Sequence, residues 1–197
     1  MNKSDIINTL QSLGTKERFS ADKKAYYLNI KNRLRHKTIK PKVYLLCGLP
    51  GSGKSAFSSK LQKQNNAVAY SSDEWIINLF GKEFSSEKFE EYQTIARQKI
   101  LEAAKNDILQ GKSVILDFGF WKKDDRKKYI DWAKSLNAES IIYFFNTDAE
   151  TLIKRLDKRN QEKESKSLIV TKEMLHKFID QFEPPTNKEA KVIRVKN

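Results

Sequence analysis

Val43-Tyr44-Leu45-Leu46-Cys47 runs directly into Gly48-Leu49-Pro50-Gly51-Ser52-Gly53-Lys54-Ser55. The first five residues read as a buried strand, a short apolar run bounded by a turn signal. The next eight match G-x-x-x-x-G-K-[ST], and Ser55–Gln64 carries a helical pattern after them. Strand, glycine-rich loop and helix in that order form a phosphate cradle. Glycines let the backbone wrap closely around an anion and turn several N–H groups toward it. The helix adds the positive end of its dipole. Lys54 is placed to reach the β- and γ-phosphates, and the Ser55 hydroxyl to ligate Mg²⁺. The contacts expected for the nucleotide, ATP with GTP as the alternative, are Gly48, Pro50, Gly51, Ser52, Gly53, Lys54, Ser55 and Ala56.

The elements around this stretch alternate. Strands are expected at Val43–Cys47, Ala67–Tyr70, Val114–Asp117, Glu139–Phe145 and Val192–Val195. Helices are expected between them, at about 86–109, 122–136 and from a Thr147/Glu150 capping box to about Arg159. A further helix spans Thr171–Phe182, after a polar loop at 160–169. The order predicts an α/β fold, a three-layer sandwich with a parallel sheet covered on both faces. Residues 1–40 read instead as two basic helices, an extension set off by Pro41 from a P-loop domain at 41–197.

Composition narrows the function classes. The chain has 197 residues, one cysteine (Cys47) and two histidines (His36 and His176), which leaves no intrachain disulfide and no basis for a cysteine or histidine zinc cluster. No apolar run approaches the roughly 20 residues that span a bilayer, and residues 1–12 lack the apolar segment of a signal peptide. A cytoplasmic address is expected. The net charge is +13, and residues 1–42 hold eleven Lys/Arg against three Asp/Glu. Such a field attracts polyanions, so nucleic acid is a candidate partner through the N-terminal segment. A solvated lysine-rich surface reads equally well.

Ligands of open α/β sheets gather beyond the carboxyl ends of the strands. After the second strand comes Ser71-Ser72-Asp73-Glu74-Trp75, where Asp73 either accepts the proton of an attacking hydroxyl or caps the following helix. After the third comes Asp117-Phe118-Gly119-Phe120-Trp121, with Asp117 placed like a Walker B acid near Mg²⁺. The residue after it is Phe, not the glutamate that mechanical ATPases use to activate water, which favours transfer over hydrolysis. Phe120 and Trp121 either stack on an acceptor or belong to the core. Arg155 and Arg159 share a helix face, as lid arginines or as solvated surface. Arg97 and Arg126 are weaker candidates for gripping an acceptor.

Taken together, GLPGSGKS, SSDEW, VILDFGFWKKDDR, RLDKRN and EMLHKFIDQFEPPT resemble the bacterial ATP-binding kinases of the polynucleotide-kinase, zeta-toxin and chloramphenicol-phosphotransferase-like P-loop group, over about residues 42–187. The resemblance implies phosphates and Mg²⁺ on Lys54 and Ser55, a base or hydroxyl contact at Asp73, Asp117 near metal and acceptor, and lid roles for Arg155 and Arg159. It implies an ATP-dependent phosphotransferase whose acceptor is a small-molecule hydroxyl or a nucleic-acid end. The other readings are a nucleotide-gated regulatory or nucleic-acid-binding protein without transfer, and a zeta-like toxin kinase. A GTPase switch has no N-K-x-D guanine motif after the phosphate loop to support it.

Overall fold

In a computed structural model, residues 40–81, 86–161 and 168–196 are described, so the two helices expected within 1–40 lie outside the described residues. Strand β1 (Lys42–Cys47) is the hub. Val43 to Cys47 are buried, and the strand pairs in parallel with β3 (Val114–Gly119) on one side and β4 (Glu139–Phe145) on the other. Strands β2 (Val68–Ser71) and β5 (Lys191–Val195) complete a five-stranded parallel sheet in the order β2-β3-β1-β4-β5.

Alternation along the strands sorts the core into two faces. Val43, Leu45, Val114, Leu116, Ile142 and Phe144 meet α3 (Phe89–Leu109) and α4 (Lys123–Ser135) through Ile100, Ala104, Tyr129 and Ala133. On the opposite face Tyr44, Leu46, Ile115 and Phe145 pack with Leu61 and Phe57 of α1 (Lys54–Asn65). A third cluster joins Leu49 of the phosphate loop to Leu152 and Leu156 of α5 (Ala149–Gln161), to Val170, and to Leu175 of α6 (Lys172–Asp180). Because α1 and α4 leave neighbouring strands β1 and β3 toward opposite faces, a crevice opens between those two strand tips.

The local differences from expectation have local causes. Asp148, not Thr147, opens α5: its carboxylate accepts the Thr151 backbone N–H and hydroxyl, both at 2.8 Å, while Glu150 pairs with Lys154 instead. Helix α2 (Ser72–Phe80) starts two residues before Glu74 because Ser71 is its cap, accepting from the Glu74 N–H at 3.4 Å. Asp73 therefore sits in the first turn and does not cap. Strand β3 extends past Asp117 because Gly119 still pairs with Cys47. The long helix is preceded by a 3-10 turn at Ser86–Lys88. Of the polar loop expected at 160–169, residues 162–167 lie outside the described residues. No helix among the described residues is long and apolar enough to cross a membrane.

Candidate active site

The phosphate loop fills the crevice at the tip of β1. Gly51 and Gly53 lie at φ +81° and +90°, the left-handed region that side chains disfavour, and Ser52 N–H closes a tight turn on Leu49 O at 3.2 Å. A Cβ on Gly51 would stand 3.1 Å from Leu156 Cγ and 3.3 Å from Leu152 O, so helix α5 rests directly on the loop. The Lys54 ammonium folds back over the loop and donates to Leu49 O at 2.9 Å.

Three strand tips bring the charged groups together. Ser55 Oγ donates to Asp117 Oδ2 at 2.9 Å. The β2–β3 register pairs Ser71 with Asp117, which sets Asp73 next to it at the start of α2. Burial is the largest influence on the Asp73 carboxyl and pushes its pKa up, helped by the Asp117 charge; Lys54, Arg159 and a bond from the Leu168 backbone N–H oppose it without cancelling it. Burial likewise pulls the Lys54 pKa down against the attraction of Asp117 and Asp73. Arg159 is lowered by burial too, with Asp73 as its counter-charge. Lys54, Asp73, Asp117 and Arg159 thus form one electrostatically connected group.

Both lid candidates come from α5, at different depths. Arg159 is half-buried and donates to Leu168 O at 3.0 Å, so the Leu168 backbone is held at its N–H by Asp73 and at its carbonyl by Arg159. Asn160 grips the next turn of chain, donating to Val170 O at 2.8 Å. Arg155 is exposed and reaches Gly51 O at 3.4 Å.

Ser55 and Asp117 are the residues that could hold Mg²⁺. Their oxygens are 2.9 Å apart, which matches the edge of an octahedron with bonds of about 2.1 Å. A hydroxyl and a carboxylate are also the hard oxygen donors that this ion selects. Among the described residues no cluster of three or more His, Cys, Asp or Glu is arranged as a metal site. Mg²⁺ here would complete its shell from nucleotide phosphates and water, its usual habit.

The candidate acceptor contacts have other partners in the structure. Phe120 is 1% exposed and meets Tyr129 edge-on at 5.1 Å, so it offers no face to an acceptor. Arg126 is fully buried, its guanidinium bound to the Glu189 carboxylate and to the Phe120, Trp121 and Glu183 carbonyls. Burial disfavours the Glu189 charge, yet the Arg126 bonds outweigh it and hold that carboxyl below its ordinary value. Arg97 is committed to Asp125 and to Phe118 O, each at 3.2 Å, and lies over the Phe118 ring. Trp121 packs on Phe178 and donates its indole N–H to Gly48 O at 3.3 Å, beside the phosphate loop. The sequence reading missed Leu168, Asn160 and Glu189. Asn160 closes the RLDKRN motif and Glu189 follows the Phe182-Glu183-Pro184-Pro185-Thr186 run, but neither motif assigns them a role.

The profile of the AAA domain matches residues 43–185, from the first residue of the buried strand to the second proline of that run. The chain belongs to this family. Within it, the fold and relatives are those of P-loop kinases. Shikimate kinase from Chlamydia pneumoniae is 25% identical over 143 residues, covering 70% of this chain and 79% of its own. A kinase structure from Chloroflexus aurantiacus J-10-fl superposes with a TM-score of 0.67 at 16% identity, over 80% of this chain and 88% of that one. A chain of the Pnkp1/Rnl/Hen1 RNA repair complex superposes at 0.57 with 24% identity, over 72% of this chain and 43% of its own. The two structural likenesses show the fold alone. In this AAA domain the position after Asp117 is the buried Phe118, inside β3.

Proposed function

We propose that the protein is an ATP-dependent kinase that moves the γ-phosphoryl group to a hydroxyl. The observation that carries this is the convergence of Lys54, Asp73 and the Ser55–Asp117 pair at three neighbouring strand tips. The loop amides and the α1 N-terminus hold the β- and γ-phosphates, and Lys54 leaves Leu49 O for a phosphate oxygen. A Mg²⁺ on Ser55 and Asp117 supplies charge neutralisation of the phosphates when bound. Asp73 accepts the acceptor's O–H proton as the acceptor oxygen bonds to the γ-phosphorus. The bond from that phosphorus to the bridging oxygen breaks, and ADP leaves. A carboxyl whose pKa burial raises is the more basic for it, which suits a general base. Arg159, released from Leu168 O, balances charge on the transferring group, with Arg155 at the rim of the loop.

A small-molecule acceptor is favoured, in keeping with the relative named as a kinase of shikimate. A 5′-hydroxyl polynucleotide is the second reading, supported by the RNA-repair likeness and the basic segment 1–42. The cytoplasm is the proposed compartment. The test is mass spectrometry of a metabolite extract incubated with ATP, Mg²⁺ and either wild type or Lys54→Ala. A product gaining one phosphate only with wild type names the acceptor class. Transfer of label from ATP to 5′-hydroxyl oligonucleotides would move the assignment to the second reading. If Asp73→Ala keeps all cellular function while Lys54→Ala loses it, the protein binds nucleotide without transferring it.

A further inference from the structure

Arg126 is the one charged side chain among the described residues that is fully buried, at 0% exposure, and its partner Glu189 has a side chain only 8% exposed. A buried ion pair is a poor way to gain stability, since packed apolar side chains of the same volume do as well or better. Its geometry is accordingly informative. Arg126 Nε and Nη2 bind the two Glu189 carboxylate oxygens at 2.7 and 3.0 Å. Nη1 donates to Phe120 O at 3.1 Å, Trp121 O at 3.2 Å and Glu183 O at 2.7 Å. Two of these carbonyls belong to the turn that follows β3, where Gly119 and Phe120 both take positive φ, +81° and +49°. A phenylalanine in that region persists only when its surroundings over-determine it.

That turn holds the start of the phosphate loop from both sides. Gly48 N–H donates to Gly119 O at 2.9 Å, and Gly48 O accepts the Trp121 indole N–H at 3.3 Å. Glu189 lies beyond the two prolines, where its carboxylate also accepts the Thr186 N–H at 3.0 Å; Glu183 N–H donates to Trp121 O at 2.9 Å. One continuous chain of bonds therefore runs from the C-terminal turn through Arg126 to the first residue of the cradle.

We infer that the Arg126–Glu189 pair is a positioning device for the phosphate loop: it locks the Gly119–Trp121 turn, and the turn fixes Gly48. This rests on reading the loop as a nucleotide site. The test begins without nucleotide. Amide exchange at Gly48 is followed by NMR in wild type, Glu189→Gln, Arg126→Lys and Trp121→Phe, and the Trp121 indole resonance in all of these but the last. The control is Tyr70→Phe, which removes the 2.6 Å bond to Asp107 away from the turn. All variants are compared below their melting points. Glu189→Gln and Arg126→Lys are expected to speed Gly48 exchange and shift the indole resonance. Mg-ATP affinity in both should fall on the order of tenfold, since the loop is displaced, not cut. Trp121→Phe keeps the Arg126–Glu189 pair and the Gly48 N–H bond to Gly119 O, removes the indole bond to Gly48 O and should loosen Gly48 on its own. Tyr70→Phe should lower the melting point and leave all three readouts unchanged. Gly48 exchange and an indole signal indifferent to Glu189, or loosened equally by Tyr70→Phe at equal loss of stability, would overturn the inference. If Glu189→Gln does not fold, Trp121→Phe still decides whether the turn holds Gly48, and Glu189→Asp, one methylene too short to reach the guanidinium, decides the pair. A wild type that ignores Mg-ATP would defeat the nucleotide reading while the exchange data still judge the tie.

Discussion

Three glycine-to-alanine changes separate torsion from crowding in the phosphate loop. At Gly111, just past the end of α3, φ is +85° and an added Cβ would meet nothing within 4 Å, so only the torsion is penalised. The left-handed cost of about 1–2 kcal/mol is partly offset by the stiffer unfolded chain, about 0.4–1 kcal/mol. At Gly48 the torsion is ordinary, but a Cβ would lie 2.8 Å from Phe145 Cβ and 3.1 Å from Phe145 O. That is about 0.7 Å inside normal carbon contact, and neither atom can rotate away. Overpacking of this kind costs about 1–3 kcal/mol, and the upper end is expected here. Gly51 carries both terms, with φ +81° and Leu156 Cγ at 3.1 Å. At about 2–4 °C per kcal/mol for a chain of this size, Gly111→Ala should lower the melting temperature by a few degrees. Gly48→Ala and Gly51→Ala should lower it further. Calorimetric melting and titration with Mg-ATP on the same samples check this. Gly111→Ala should bind nucleotide as wild type does, and the other two should bind more weakly. A Gly48→Ala protein that melts and binds like wild type would refute the claimed close approach to β4. Equal affinity losses at Gly111 and Gly51 would show that binding follows global stability instead of loop shape.

Two further outcomes follow from the site's electrostatics. Burial raises the Asp73 carboxyl, so its charge opposes folding above the raised value, while below the ordinary carboxylate range no penalty remains. Asp73→Asn should therefore melt higher than wild type at pH 7 and lose that advantage as pH falls toward the unfolded carboxylate range, while phosphoryl transfer is abolished; a lower melting point at pH 7 would contradict the assignment. Ser55→Ala and Asp117→Asn should each raise the Mg²⁺ concentration needed for half-maximal activity, and the double variant should cost less than the sum, because both oxygens serve one ion. Strict additivity in a magnesium titration would separate them.

Local chemistry was readable and distant pairing was not. The strand and loop from Val43 to Ser55 and the strand Glu139–Phe145 are found where their residues place them, because each pattern reports forces acting within its own element. Caps shifted by one or two positions where neighbours compete: Ser71 against Asp73, Asp148 against Thr147. Arg126 sits in Lys122-Lys123-Asp124-Asp125-Arg126-Lys127-Lys128, which reads as a uniformly solvated helix face. The residue that turns inward is chosen by Glu189, 63 positions away. Phe120 stays open between two readings for a similar reason: an aromatic beyond a strand tip serves a stack or a core, and only Tyr129 packed against it shows the core role. Leu168 is invisible because Asp73 and Arg159 use its backbone, and backbone groups leave no mark on the residue type.

Cys47 closes the buried strand with its thiol donating to Phe120 O at 3.2 Å, and burial pushes its pKa up to about 12. Alkylating reagents attack the thiolate, which this site hardly forms at neutral pH. Since the chain has no other cysteine, any cysteine introduced at an exposed position of α5 or α6 would be the sole reactive thiol. A fluorophore or spin label could then report on those helices at a single address, with no need to strip the native sulfur first.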